Sequence, residues 1–278
     1  MKIGFKKFIP LFLVSVICAV FLRVMQITQM TEPNNGFFYR GYESIGNIVT
    51  IGIFVIAAIC VIYAALCKKS DINPIVITKP FAIIHFVMAA AILYETFAST
   101  FGGTIYAWQA LFQMVFGLIA AIIFAYRGYA AFTGTEVNPM LSVSYLLFWL
   151  IRVIIVFSSS IAVPSVAENI FEMAALCTAL IFFLNSSSFE NEVNAERTAK
   201  RILPSAVAAV VMGAVYSVSQ LWVVIIGKES LLHAQKATFF TNGVLIVYIL
   251  YYVVLCFKNK AEETVTETAE DENKEIIE

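Results

Sequence analysis

The chain has 278 residues, 60% hydrophobic and 13% charged, with a formal net charge of −1 and a mean hydropathy of +0.86. A soluble globular domain, roughly 45–50% apolar and about 25% charged, is excluded by that composition. The polypeptide reads as an integral membrane protein whose first partner is a lipid bilayer.

Crossing a hydrocarbon layer of ~30 Å takes about 20 residues of helix. Apolar runs of that length recur over 8–30, 47–66, 81–99, 105–126, 141–163, 166–185, 204–226 and 236–257, which predicts eight spans with short connections. The runs are apolar at consecutive positions rather than alternating, so a β-barrel is excluded and the fold class is all-α, a polytopic helical bundle.

Span 1 follows Lys2, Lys6 and Lys7 and has no small-x-small cleavage site before Arg23, so it reads as an uncleaved first span. Between spans 3 and 4, "FGGT" at 101–104 reads as a tight turn. Asn138-Pro139 supplies a cap and a fixed first-turn φ for span 5, Ser165 and Glu168 form a candidate capping box for span 6, and Pro204 is read as the opening of span 7. The loop 186–204 carries Glu196 with Lys200 at i+4, a pattern suited to a short surface helix.

After span 8 the chain divides into a membrane body, 1–257, and a tail, 258–278. The stretch "AEETVTETAEDENKEIIE" holds eight acids and one lysine, 1 − 8 = −7, which leaves +6 on the rest of the chain. Such a balance predicts a disordered, solvated cytoplasmic tail.

Basic residues orient the bundle. With the N-terminus inside, the cytoplasmic segments hold 13 of the 18 Lys and Arg and the outer segments hold 3, Arg40, Lys228 and Lys236. Both termini are therefore expected on the cytoplasmic side of the cell membrane.

A rise of ~1.5 Å per residue then assigns depth to the polar side chains. Arg152 falls near the midplane of span 5. Arg23 and Glu95 fall in the outer half, joined at that level by Gln109, Gln113, Glu168, Glu172, Gln220 and Asn242, while His85 lies deep on the inner side. A charge at the bilayer centre costs roughly 2.5–3.5 kcal/mol or more unless it is paired or meets water, so Arg152 should point inward to a carboxylate. Glu172 is the first expectation and Glu95 the second.

Helical spacing supports inward polar stripes: Met88, Ala91, Glu95 and Ser99; Tyr106, Gln109, Gln113, Gly117 and Ala121; Gly213, Ser217 and Gln220. Small residues allow close helix approach and amides bond across interfaces, so the glutamines also serve as interhelical glue, and Glu168 also serves as a cap.

Offsets of 129 (Arg23 to Arg152), 124 ("VMAA" to "VMGA") and 125 (Glu95 to Gln220) nearly agree, and suggest a parallel 4+4 tandem repeat.

None of the motifs HExxH, GxxxxGK[ST], GxSxG or GxGxxG occurs, so no enzymatic activity is expected. Five cysteines and two histidines form no pattern suited to disulfides or a metal, and no cofactor or nucleic acid is expected as a partner.

The stretch "LRVMQITQMTEPNNGFFYRG", 22–41, resembles the opening of multi-span integral membrane proteins of Gram-positive bacterial type. The resemblance covers about a tenth of the chain. It implies a bacterial plasma-membrane setting and carries no activity to these residues.

The leading expectation is an eight-helix bundle that binds or transports a small polar solute through an outward-facing polar cavity. Arg23, Glu95, Gln109, Gln113, Arg152, Glu172 and Gln220 are its candidate binding residues, with Phe116 and Phe148 closing it below. The rival expectation is a sensor, scaffold or accessory subunit of a membrane complex, in which the same charges only lock helices together.

Overall fold

The computed structural model describes residues 5–32, 36–67, 78–102, 107–160, 167–193, 195–232 and 236–275. Eight helices account for nearly all of them: α1 (Phe5–Met25), α2 (Glu43–Leu66), α3 (Lys79–Phe101), α4 (Ala107–Thr133), α5 (Ser142–Ser160), α6 (Ala167–Glu190), α7 (Ala195–Ile225) and α8 (Lys236–Glu275). Each contains a stretch long and apolar enough to cross a membrane. In α8 that stretch is Lys236–Cys256, and the helical backbone runs on to Glu275 within the acidic segment.

Local chemistry explains the ends. After α1 the backbone widens into a π-helical turn over Gln26–Met30, where the Thr31 hydroxyl donates to the Gln26 carbonyl five residues back, 3.1 Å. The Asn138 side chain accepts from the Met140 amide at 2.9 Å and caps the short 3-10 turn leading into α5, as expected. Helix α7 ends in a Schellman motif, with Gly227 N–H on the Val224 carbonyl and Lys228 N–H on the Val223 carbonyl. Gly227 sits at φ +73°, which a side chain would strain. Ser165 and most of the turn after Phe101 lie outside the described residues.

Pro204 does not open span 7. It lies inside α7, which starts at Ala195, so the segment read as a loop with a surface helix is the first turns of the spanning helix itself. The proline has no N–H for the Lys200 carbonyl, and the helix passes through that gap in its ladder.

Helices α3 and α4 run antiparallel. A Cβ on Gly117 of α4 would stand 2.1 Å from Thr96 Oγ1 of α3, and one on Gly128 would meet Phe86 and the Ala82 carbonyl at 3.0 and 3.1 Å. These glycines let the α3–α4 pair close nearly backbone to backbone.

The main helix contacts trace a closed circuit: α3 on α4, α4 on α5, α5 on α6, α6 on α7, α7 on α8, and α8 back on α3. Helices α1 and α2 pack on each other and on α7, outside this six-helix ring. A 4+4 repeat is not seen in this packing. Helix α7 contacts α1, α2, α6 and α8, whereas α3, its counterpart in a tandem arrangement, packs chiefly on α4 and α8.

The outward faces are apolar. Ile48, Ile51, Val55 and Ile62 of α2, and Ile181 and Leu184 of α6, are exposed, an arrangement that lipid favours and water opposes. Inside the ring, aromatic rings from α4, α5, α6 and α8 fill one half of the bundle: Phe124 lies 5.0 Å from Tyr145 and 5.5 Å from Tyr248, and Trp149 stacks on Phe183 at 5.5 Å. Phe148 is buried beside Trp149, whereas Phe116, read as part of the same closure, is only partly buried.

Candidate functional site

Polar side chains of the bundle gather in two clusters at one end, joined by a bridge, with a third cluster at the opposite end. The first lies inside the ring. Arg152 of α5 reaches across to Glu95 of α3, Nη2 to Oε1 2.8 Å, with side chains 3% and 2% exposed. Its Nη1 donates to Asn242 Oδ1 of α8 at 3.2 Å, and its guanidinium lies 4.4 Å from the centre of the Trp149 ring. A charge this deep is held by a carboxylate, an amide and an aromatic face together.

The partner of Arg152 is therefore Glu95 and not Glu172, correcting the first expectation. Helices α3 and α5 both flank α4 in the ring, and the α3 stripe Met88, Ala91, Glu95 points inward, buried. On α4, Gln109 donates to Ser158 Oγ of α5 at 2.8 Å. Gln113 is buried one turn further along the same face, and Gly117 and Ala121 complete the stripe; Tyr106 lies outside the described residues.

The second cluster lies among α1, α2, α6 and α7. Arg23 turns inward rather than toward a membrane surface: it is buried, donates to Gln26 Oε1, and sits 4.5 Å from the Phe171 ring centre. Gln26 passes the connection on to α2, donating to the Gly46 carbonyl and to Thr50 Oγ1, both at 2.8 Å. Gln220 of α7 donates to Glu168 Oε1 of α6 at 2.9 Å. Arg23, Thr31, Gly36, Glu168 and Leu232 line a small pocket of ≈ 10 Å³, space for about one water.

Glu172 links the two clusters. It stands within electrostatic reach of Arg152, Glu168 and Glu95, and faces the Tyr216 hydroxyl of α7. Its position on α6 is inward, since Glu168, Ala175, Leu176, Ala179 and Phe183, at i−4, i+3, i+4, i+7 and i+11, are all buried. Glu172 stays partly exposed on this face, as do Asn169 and Glu190, while Ile170, Ile181 and Leu184 mark the outward side of α6. Its exposure is therefore not on the side of α6 that carries those apolar residues.

Several buried polar atoms beside these groups have no hydrogen-bond partner: Gln220 Oε1, Asn242 Nδ2, Ser217 Oγ and Thr96 Oγ1. Each such atom in an apolar interior costs roughly 1–3 kcal/mol.

The third cluster was not anticipated. Arg127 of α4 makes a two-pronged contact with Glu190 of α6, 2.6 and 3.3 Å, and donates to the Tyr145 hydroxyl of α5 at 3.1 Å. Both residues lie where an apolar run gives way to polar sequence, and so read as loop. The usable signal was spacing: Gly117, Ala120, Phe124 and Arg127 continue one buried stripe to the end of α4. His85 sits between the Phe81, Tyr248 and Phe124 rings with Nδ1 on the Phe81 carbonyl, 2.9 Å, as a core histidine.

The seven candidate binding residues therefore do not surround one chamber. Glu95, Arg152, Gln109 and Gln113 belong to the ring, Arg23 and Gln220 to the side cleft, and Glu172 stands between. Among the described residues no group of three or more His, Cys, Asp or Glu side chains is placed to hold a metal ion. Compared with family models, curated proteins and solved structures, the chain matches none.

Proposed function

We propose that the protein binds a small polar solute within the membrane and carries it through the six-helix ring. The observation that carries this reading is Glu172, a partly exposed carboxylate on the buried face of α6, beside polar atoms that the protein leaves without partners. A purely structural ion pair needs no surplus of donors and acceptors, whereas recognition of a solute does.

In this proposal a solute enters past Arg23 and Glu168 and reaches Glu172 and Tyr216, with Arg152, Gln113 and Asn242 as further contacts in the ring. The aromatic layer of Phe124, Phe183 and Tyr248, with the Arg127–Glu190 bridge beneath it, closes the opposite end. The basic-residue distribution puts the open end outside and the closed end, with both termini, in the cytoplasm. Flux into proteoliposomes against a solute library tests the reading. Uptake of a polar solute that Gln113→Leu abolishes without lowering thermal stability supports it, and no flux for any solute counts against it.

A second reading has its own support. Arg152–Glu95 and Arg127–Glu190 tie helices across the ring that are not neighbours around it, as locks in a scaffold or accessory subunit would. Purification with a stoichiometric membrane partner, together with absent flux, favours it.

A further inference from the structure

We infer that the solute taken at Glu172 carries an ammonium group, a deepening that rests on the binding reading above. The charges inside the bundle at this end are two arginines, Arg23 and Arg152, against three carboxylates, Glu95, Glu168 and Glu172. Arg152 is taken up by Glu95 at 2.8 Å, and Arg23 lies in the electrostatic reach of Glu168. The set is left with one negative charge in excess, and Glu172, which shares Arg152 with the closer Glu95, is the carboxylate of the three that is partly exposed.

The Tyr216 hydroxyl is an independent sign of a ligand there. It is fully buried, has no hydrogen-bond partner of normal geometry, and faces the Glu172 carboxylate from α7. An ammonium donates three hydrogen bonds and accepts none, so a carboxylate and a phenol oxygen are suitable acceptors. An anion bound beside Glu172 would meet the excess negative charge in a medium of low dielectric, where the repulsion is strong. A bare metal ion is a poorer fit, since no cage of donors is assembled among the described residues.

The test is thermal stabilisation of the full-length protein in detergent, at constant ionic strength, by four probes of similar size: ethanolamine, ethylene glycol, glycolate and glycine. Ethanolamine is expected to raise the melting temperature, glycine less, and ethylene glycol and glycolate not at all. E172Q should lose the response and E172D should keep it; the aspartate arm decides the matter if the glutamine variant is poorly folded. Equal or greater stabilisation by ethylene glycol or glycolate overturns the ammonium inference and leaves the binding reading standing. An ethanolamine response that survives in E172Q moves the amine elsewhere and also overturns the inference. No response to any probe, combined with no flux in the library screen, overturns both.

Discussion

Arg152 is the residue on which the ring's polar layer turns. Removing it by Arg152→Leu leaves Glu95 buried with no counter-charge, and loss of one partner of such a pair costs about 3–5 kcal/mol. The double change Arg152→Leu/Glu95→Leu removes both charges and should recover most of that loss, whereas Arg152→Leu/Glu172→Leu should not. Melting temperatures of the three variants in detergent check this, and equal recovery in both doubles would reassign the partner. The presence of a carboxylate partner was legible in the sequence, because a guanidinium amid apolar residues demands one. Which carboxylate was not: Glu95 and Glu172 have similar depth, and depth is all that counting residues supplies. Choosing between them needs the side-chain directions in three dimensions, which bring Glu95 of α3 to Arg152 and turn Glu172 toward Tyr216 of α7.

At the scale of elements, two contacts fix how helices sit together. Gly117 is where α4 lies against Thr96 of α3, and Gly117→Val is expected to destabilise by about 1–3 kcal/mol through overpacking, with Thr96→Ala giving partial relief. Chemical denaturation of the single and double variants measures this. At the other end, Arg127→Leu should strip Glu190 and Tyr145 of their shared donor and loosen α4 from α6; faster proteolysis near the α6–α7 connection than in the Arg127→Lys variant reports it. All eight helices were readable from apolar length alone, since lipid requires a hydrogen-bonded helix wherever the chain crosses. Their ends were less so. The start of α7 was misplaced because Pro204 is a strong local signal for a first turn, and it is overridden by the helix-forming stretch Ala195–Leu203 and by tertiary packing of Ile202, Leu203 and Ala206.

For the whole molecule, the ring of six helices with two outside it is the feature no periodicity could reveal, because an inward stripe states that a helix has neighbours and not which ones. Orientation follows from a separate rule: single cysteines at Asn35 and at Glu192 in a cysteine-free variant should label from outside and inside respectively, and labelling of Glu192→Cys in intact cells by an impermeant reagent would invert the assignment. The central claim is that the bundle encloses a gap that water reaches at Glu172, one that a solute can enter. Its most direct measurement is the reaction of Glu172→Cys, in the same cysteine-free background, with a small charged thiol reagent that does not partition into lipid. The account predicts that Glu172→Cys reacts readily while the lipid-facing Ile181→Cys on the same helix does not. A Glu172→Cys that reacts no faster than Ile181→Cys, in a protein that remains folded, would mean a sealed interior and contradict the account.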